Sequence, residues 1–272
     1  MPVIANYVEQ RGHLARLIQA QADSTAAFIV GRADYGKTWL MRWFEAEYAG
    51  QARIVLLEMG DPSQTFTPIL IMRACAQALG PEHFADFNAE AVRLTPARKA
   101  IIENVSVRGD HNSFVASTGE TEEDQIVLAL GLTESFVNGL KAAGREGPPI
   151  VLCFDGYAPA QTVVHRWFDL GFVRAVCALP GVRLIVTGRD IPQDGIPRKA
   201  PACASFALDG VLEAREWIRI AGDLGRRLPG DTAEKTETLI EGMILLTNGA
   251  PGQIMRWVQS QPANTPPTGL RK

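Results

Sequence analysis

Cysteine is scarce in this chain and shows no pattern. Only four occur in 272 residues, Cys75, Cys153, Cys177 and Cys203, and none stands in C-x-x-C spacing. That argues against a zinc ribbon, a dithiol redox motif or a disulfide framework. Each lies in or near an apolar run and reads as a buried free thiol. A reducing cytoplasm is the compartment expected by default. Charge of one sign is also missing. Lys plus Arg number 27 and Asp plus Glu 30, for a net charge of −3. There is thus no global electrostatic footprint for nucleic acid, although a local patch stays open. No uninterrupted apolar run approaches the ~18 residues of a membrane span. Residues 1–9 have neither the basic stretch nor the apolar stretch of a signal peptide. Internal repeats are absent too. What remains is ordinary globular composition, 46% hydrophobic and 21% charged. The length suits one α/β domain, alone or with a small appendage.

One segment stands out. Gly31-Arg32-Ala33-Asp34-Tyr35-Gly36-Lys37-Thr38 is a full match to G-x-x-x-x-G-K-[ST], and Trp39 follows it directly. Phe28, Ile29 and Val30 form a β-prone run before it. Helical spacing follows from 37 to 48. Strand, glycine loop and helix are the context in which this loop binds phosphate. Gly31 and Gly36 let the backbone curl so that successive N–H groups face one phosphate chain. The helix N-terminus adds a positive dipole end. Lys37 supplies a point charge for the β and γ phosphates, and the Thr38 hydroxyl a ligand for Mg²⁺.

Around this loop the periodicity predicts alternating elements. A short lead-in and an amphipathic helix are expected over 7–20, with Leu14, Leu17 and Ile18 recurring at helical spacing. Strands are expected at 25–30, 53–57, 150–154, 181–187 and 205–208. Helices are expected over 37–48, 64–79, 96–105, 122–143, 160–178, 211–224, 233–247 and 251–260. Residues 106–120 read as a mobile loop or short hairpin. Continuous apolar strands separated by helices mean a mainly parallel sheet covered on both faces. The predicted architecture is a three-layer αβα P-loop domain over 1–208. A helical lid covers 209–260, and a disordered tail covers 261–272.

Three further motifs carry chemistry. Ile150-Val-Leu-Cys-Phe-Asp155 is an apolar strand ending in a carboxylate, the Walker B pattern, with Asp155 as a Mg²⁺ ligand. This strand is expected beside the P-loop strand. Gly156-Tyr157-Ala158-Pro159-Ala160 follows it and offers no acid until Asp169, so a general base is not visible at the usual place. Tyr157 is read as packing against the loop. Leu184-Ile-Val-Thr-Gly-Arg-Asp190 ends a strand in Arg189, which either reports the γ-phosphate or is a surface residue paired with Asp190. Asn248-Gly-Ala-Pro251 alone is a helix–helix turn.

Taken in order, these segments resemble the STAND branch of the AAA-related P-loop NTPases, including the NACHT and NB-ARC types. The likeness runs from about residue 4 to 260. Val8-Glu-Gln-Arg-Gly-His-Leu-Ala-Arg-Leu17 is similar to the family's lead-in, which lies along the adenine side. Leu184 to Asp190 is similar to its sensor strand. Phe206 to Ile218 resembles its passage into the lid, and Gly249-Ala-Pro251 its G-x-P motif. The resemblance implies ATP with Mg²⁺ as cofactors. It implies Arg11 and Pro251 on the base side of the nucleotide, and Lys37, Asp155 and Arg189 around the phosphates. Lead-in residues Gly12 and His13 stand where the family prefers acids. The resemblance also implies a nucleotide-dependent signalling switch working through a protein partner or self-assembly. The lack of a membrane-length apolar run speaks against a membrane partner, and the acid missing after Asp155 leaves ATP hydrolysis slow or uncertain. A DNA-associated AAA-type ATPase and a non-hydrolysing nucleotide-binding scaffold are the competing readings. The acidic balance speaks against the former, and the acid missing after Asp155 favours the latter.

Overall fold

The structure is a computed structural model and describes residues 7–19, 24–60, 66–94, 121–145, 147–158, 162–191, 195–200 and 202–264. Five strands form one sheet: β1 (Ala26–Val30), β2 (Arg53–Glu58), β3 (Ile150–Tyr157), β4 (Val182–Gly188) and β5 (Cys203–Ala207). Their order is β2-β3-β4-β1-β5, and every pairing is parallel. A parallel sheet needs both faces covered, and the strands are apolar accordingly. In β1, β3 and β4 nearly every residue is buried.

Helices cover both faces. On one lie α3 (Pro68–Leu79), α4 (Ala85–Leu94), α5 (Glu122–Gly144), α6 (Thr162–Trp167) and α7 (Val173–Cys177). Phe28, Leu57, Phe154 and Val186 from the sheet meet Phe87, Phe136, Trp167 and Phe172 there. On the other face lie α1 (Val8–Ile18) and α2 (Lys37–Tyr48). They share a core with α9 (Ala214–Asp223), α10 (Ala233–Thr247) and α11 (Pro251–Ser260). Ala27, Ile29, Val151 and Ile185 of the sheet pack here against Leu40, Phe44, Trp217 and Ile254. A short α8 (Ile196–Lys199) precedes β5. This is the α/β P-loop architecture anticipated from the sequence.

Several expectations are corrected. The Walker B strand β3 does not lie beside β1, because β4 sits between them. Strand order is a non-local property, which apolar runs do not encode. The helix expected over 64–79 begins at Pro68, where Thr67 accepts from Leu70 N–H as a cap. Residues 61–65 lie outside the described residues. So do the helix placed at 96–105 and the loop placed at 106–120, whereas α4 at 85–94 was not anticipated. The helix expected over 160–178 is interrupted by a π-turn at Phe168–Phe172. The last strand comes two residues early, at Cys203–Ala207. Cys75, Cys153 and Cys177 are buried, but Cys203 is exposed on the edge strand. Burial pushes the Cys75 and Cys177 thiols up to about 12. Part of the expected tail is ordered: Arg227 N–H donates to Pro262 O at 2.9 Å and Asn264 N–H to Gly225 O at 2.8 Å. Residues 265–272 lie outside the described residues.

One helix passes the length and hydropathy test that no uninterrupted apolar run met. The 23 residues of α5 are apolar enough to cross a membrane by length and composition. Here Ala129, Leu132, Phe136, Leu140 and Ala143 of that helix are fully buried in the domain core.

Candidate nucleotide-binding site

The loop from Gly31 to Thr38 joins β1 to α2 at the C-terminal edge of the sheet. Gly36 caps α2 in the left-handed region, with φ 80, and offers no side-chain cap. The first N–H groups of α2 therefore face the loop without a side-chain partner, which is the arrangement that receives an anion. Asp34 is left-handed too, with φ 63. Its carbonyl accepts from Gly252 N–H at 2.6 Å, and its carboxylate takes both Nη1 and Nη2 of Arg256, at 3.1 and 3.2 Å.

Lys37 folds back on the loop. Its Nζ donates to Gly31 O at 2.5 Å and Arg32 O at 2.6 Å. Burial lowers its pKa, Asp155 opposes this, and Arg189 lowers it further. Arg189 is exposed after β4, yet its charge is felt at Lys37. Arg189 is thus within electrostatic reach of Lys37, as Asp155 is. Asp155 accepts from Thr38 Oγ1 at 2.5 Å and from Thr187 Oγ1. Thr187 in turn accepts from Gly156 N–H at 3.2 Å. Burial pushes the Asp155 carboxyl up, against these two hydrogen bonds.

Thr38 and Asp155 offer two oxygens side by side. Mg²⁺ is commonly held by one or two protein oxygens plus substrate phosphates and water, so the residues fit that ion. Among the described residues no three His, Cys, Asp or Glu side chains converge as a metal cage.

The base side is less as expected. Pro251 does approach the loop: a Cβ on Gly36 would stand 3.9 Å from Pro251 Cβ and 3.4 Å from the Tyr7 ring. Arg11 instead lies over the Trp43 ring of α2, at 4.3 Å, and its Nε has no partner. Its guanidinium is held by the flank of α2. The lead-in residue that reaches the P-loop is Tyr7, whose hydroxyl donates to Tyr35 O at 2.6 Å. Tyr35 O–H bonds Asn248 O at 3.2 Å. Arg32 and Ala33 are exposed at the loop's tip, and Trp39 is half-buried. Tyr157 is buried, stacked on Phe168 and hydrogen-bonded to His165.

Sequence reasoning missed Tyr7 and Arg256. A signal existed for Arg256, since Gly252 and Arg256 are four apart and share a helix face. For Tyr7 the only signal was an aromatic just before an amphipathic helix.

No protein-family profile matches the chain, and no curated protein sequence does. Among solved structures it is similar to a Walker-type ATPase of Pyrococcus abyssi, with TM-score 0.51 and 15% identity over 94% of this chain and 67% of that one. It is also similar to a signal transduction ATPase with numerous domains (STAND) with a tetratricopeptide repeat sensor from Pyrococcus horikoshii. There the TM-score is 0.48 and the identity 15%, over 97% of this chain and 31% of that one. The chain thus spans about a third of the second protein's length. At this identity the likeness shows the fold, that of an α/β P-loop ATPase.

Proposed function

With a P-loop ATPase fold as its premise, we propose that this chain binds ATP with Mg²⁺ and acts as a STAND-type, nucleotide-dependent switch with slow turnover. One observation carries the reading: the helical segment after β5 is bonded directly to the phosphate loop. Gly252 N–H, Arg256 and Asn248 all reach Asp34 or Tyr35. Phosphates that reorder this loop must disturb those bonds, and the affinity difference between the two arrangements is what a switch needs.

The residues divide the work. Loop N–H groups and the α2 terminus take the phosphate oxygens. Lys37 leaves its carbonyl partners to neutralise β and γ charge, and Arg189 faces the terminal phosphate. Thr38 and Asp155 hold Mg²⁺, which neutralises phosphate charge when bound. Tyr7 and Pro251 border the base. The output is a changed surface for a protein partner or a further copy of this chain, in a reducing cytoplasm.

The test compares the chain with ATP·Mg²⁺, with ADP and without nucleotide, by small-angle scattering and limited proteolysis. A switch gives distinct profiles for ATP and ADP, and Arg256→Ala reduces the difference. Identical profiles in all three states would contradict it.

A further inference from the structure

Asp155 lacks an acid directly after it, and the backbone leaves no room for one. Gly156 has φ +81, and a Cβ there would lie 2.6 Å from Cα and N of Gly60. The sheet brings another carboxylate to the same edge. In the β2–β3 ladder Glu58 pairs with Asp155. Register partners in parallel strands point to the same face. That face packs α2, as Ile54, Leu56, Val151 and Cys153 of the two strands do. Glu58 therefore stands beside Asp155, on the P-loop side, at the strands' C-terminal ends.

Two rungs tie α2 to this edge. Thr38 bonds Asp155 at 2.5 Å. One helical turn on, on the same helix face, Arg42 grips Glu58 through Nε–Oε1 at 2.9 Å and Nη2–Oε2 at 3.1 Å. The Glu58 charge is felt at Asp155, and the Asp155 charge at Arg42. The Glu58 side chain is 45% exposed, so water reaches it.

We propose that Glu58 is the general base for ATP hydrolysis at this site, and that Arg42 holds it in a resting position. The inference rests on the nucleotide reading above. In the step, the Glu58 carboxylate takes a proton from water while the water oxygen bonds to the γ phosphorus. The bond from that phosphorus to the β–γ bridging oxygen breaks, and its electron pair stays on ADP. Inorganic phosphate leaves, and Glu58 returns its proton to solvent. An exposed ion pair is weak, so a rearrangement on ATP binding suffices to free the carboxylate. Release from Arg42 then becomes the slow event, in keeping with a switch.

The experiment uses the full chain, with Glu58→Gln, Arg42→Ala and Lys37→Ala beside it. ATP·Mg²⁺ affinity, melting temperature and single-turnover hydrolysis are read for each. Glu58→Gln is expected to keep the native affinity and melting temperature. It should slow hydrolysis roughly a hundredfold or more and retain unhydrolysed ATP through gel filtration. Arg42→Ala is expected to raise the rate a few-fold. Undiminished hydrolysis in Glu58→Gln overturns the proposal. So does absent hydrolysis in both the native chain and Arg42→Ala while ATP still binds. Either result leaves the nucleotide reading standing, whereas a native chain that does not bind ATP overturns both.

Discussion

Thr38 donates a 2.5 Å hydrogen bond to Asp155, joining the first turn of the P-loop helix to the end of β3. Thr187 bonds the other carboxyl oxygen. Burial nonetheless pushes Asp155 above the ordinary carboxylate value. A folded-state pKa above the unfolded one favours the protonated form. The resulting stabilisation is complete below about pH 3.9 and is lost as pH rises through the raised value. Asp155→Asn keeps the shape without the charge. Without nucleotide at neutral pH it should melt above the native chain, and its melting temperature should change less with pH on the acidic side. It should also lose the Mg²⁺-dependent part of ATP binding. Melting curves from about pH 4 to about pH 8 check the first two points, and titrations with and without Mg²⁺ the third.

Supplying the missing acid by mutation should fail. Gly156→Glu meets both a left-handed backbone and the Gly60 backbone 2.6 Å away. The strain of roughly 1–2 kcal/mol for a non-glycine residue adds to an overpacking cost of roughly 1–3 kcal/mol. Chemical denaturation should show a loss of that combined order, with no gain in hydrolysis.

The Asp34–Arg256 pair should govern nucleotide exchange. The Arg256 hydrogen bonds hold the Asp34 carboxyl below its ordinary value. Its contribution is therefore present above the unfolded carboxylate pKa and is lost as pH falls through the lowered one. At neutral pH, Arg256→Ala should release a fluorescent ADP analogue more slowly than the native chain, because the bound state no longer has to break the latch, with little change in melting temperature. Equal release rates would mean that the latch does not gate the site.

Tyr7 is expected to matter through its hydroxyl. Tyr7→Phe leaves Tyr35 O without its 2.6 Å donor. The expected cost is about 1 kcal/mol of stability, measured by denaturation, together with weaker ATP binding from a less ordered loop.

Much of this site was legible in the chain because its determinants are local. Lys37–Tyr48, Ala233–Thr247 and Pro251–Ser260 match the expected helices end to end. Each is bounded by a glycine, threonine or proline whose conformational preference acts over a few residues. What escaped was non-local. That β4 separates β1 from β3 follows from the pairing of β1 with β4, Ala26 with Leu184, across most of the chain. Arg11 was assigned by likeness to the base side, and its seat over the Trp43 ring is a packing outcome that no local pattern encodes. Glu58 lies one residue beyond the strand expected at 53–57, and β2 includes it. Its register opposite Asp155 is what brings it to the phosphate side of the sheet.

The central claim is that Lys37 and its loop bind ATP·Mg²⁺. The most direct measurement is calorimetric titration of the native chain and Lys37→Ala with ATP and Mg²⁺, with melting curves showing that both are folded. The account predicts saturable binding by the native chain and its loss in the variant. Unchanged binding by a folded Lys37→Ala would contradict the account.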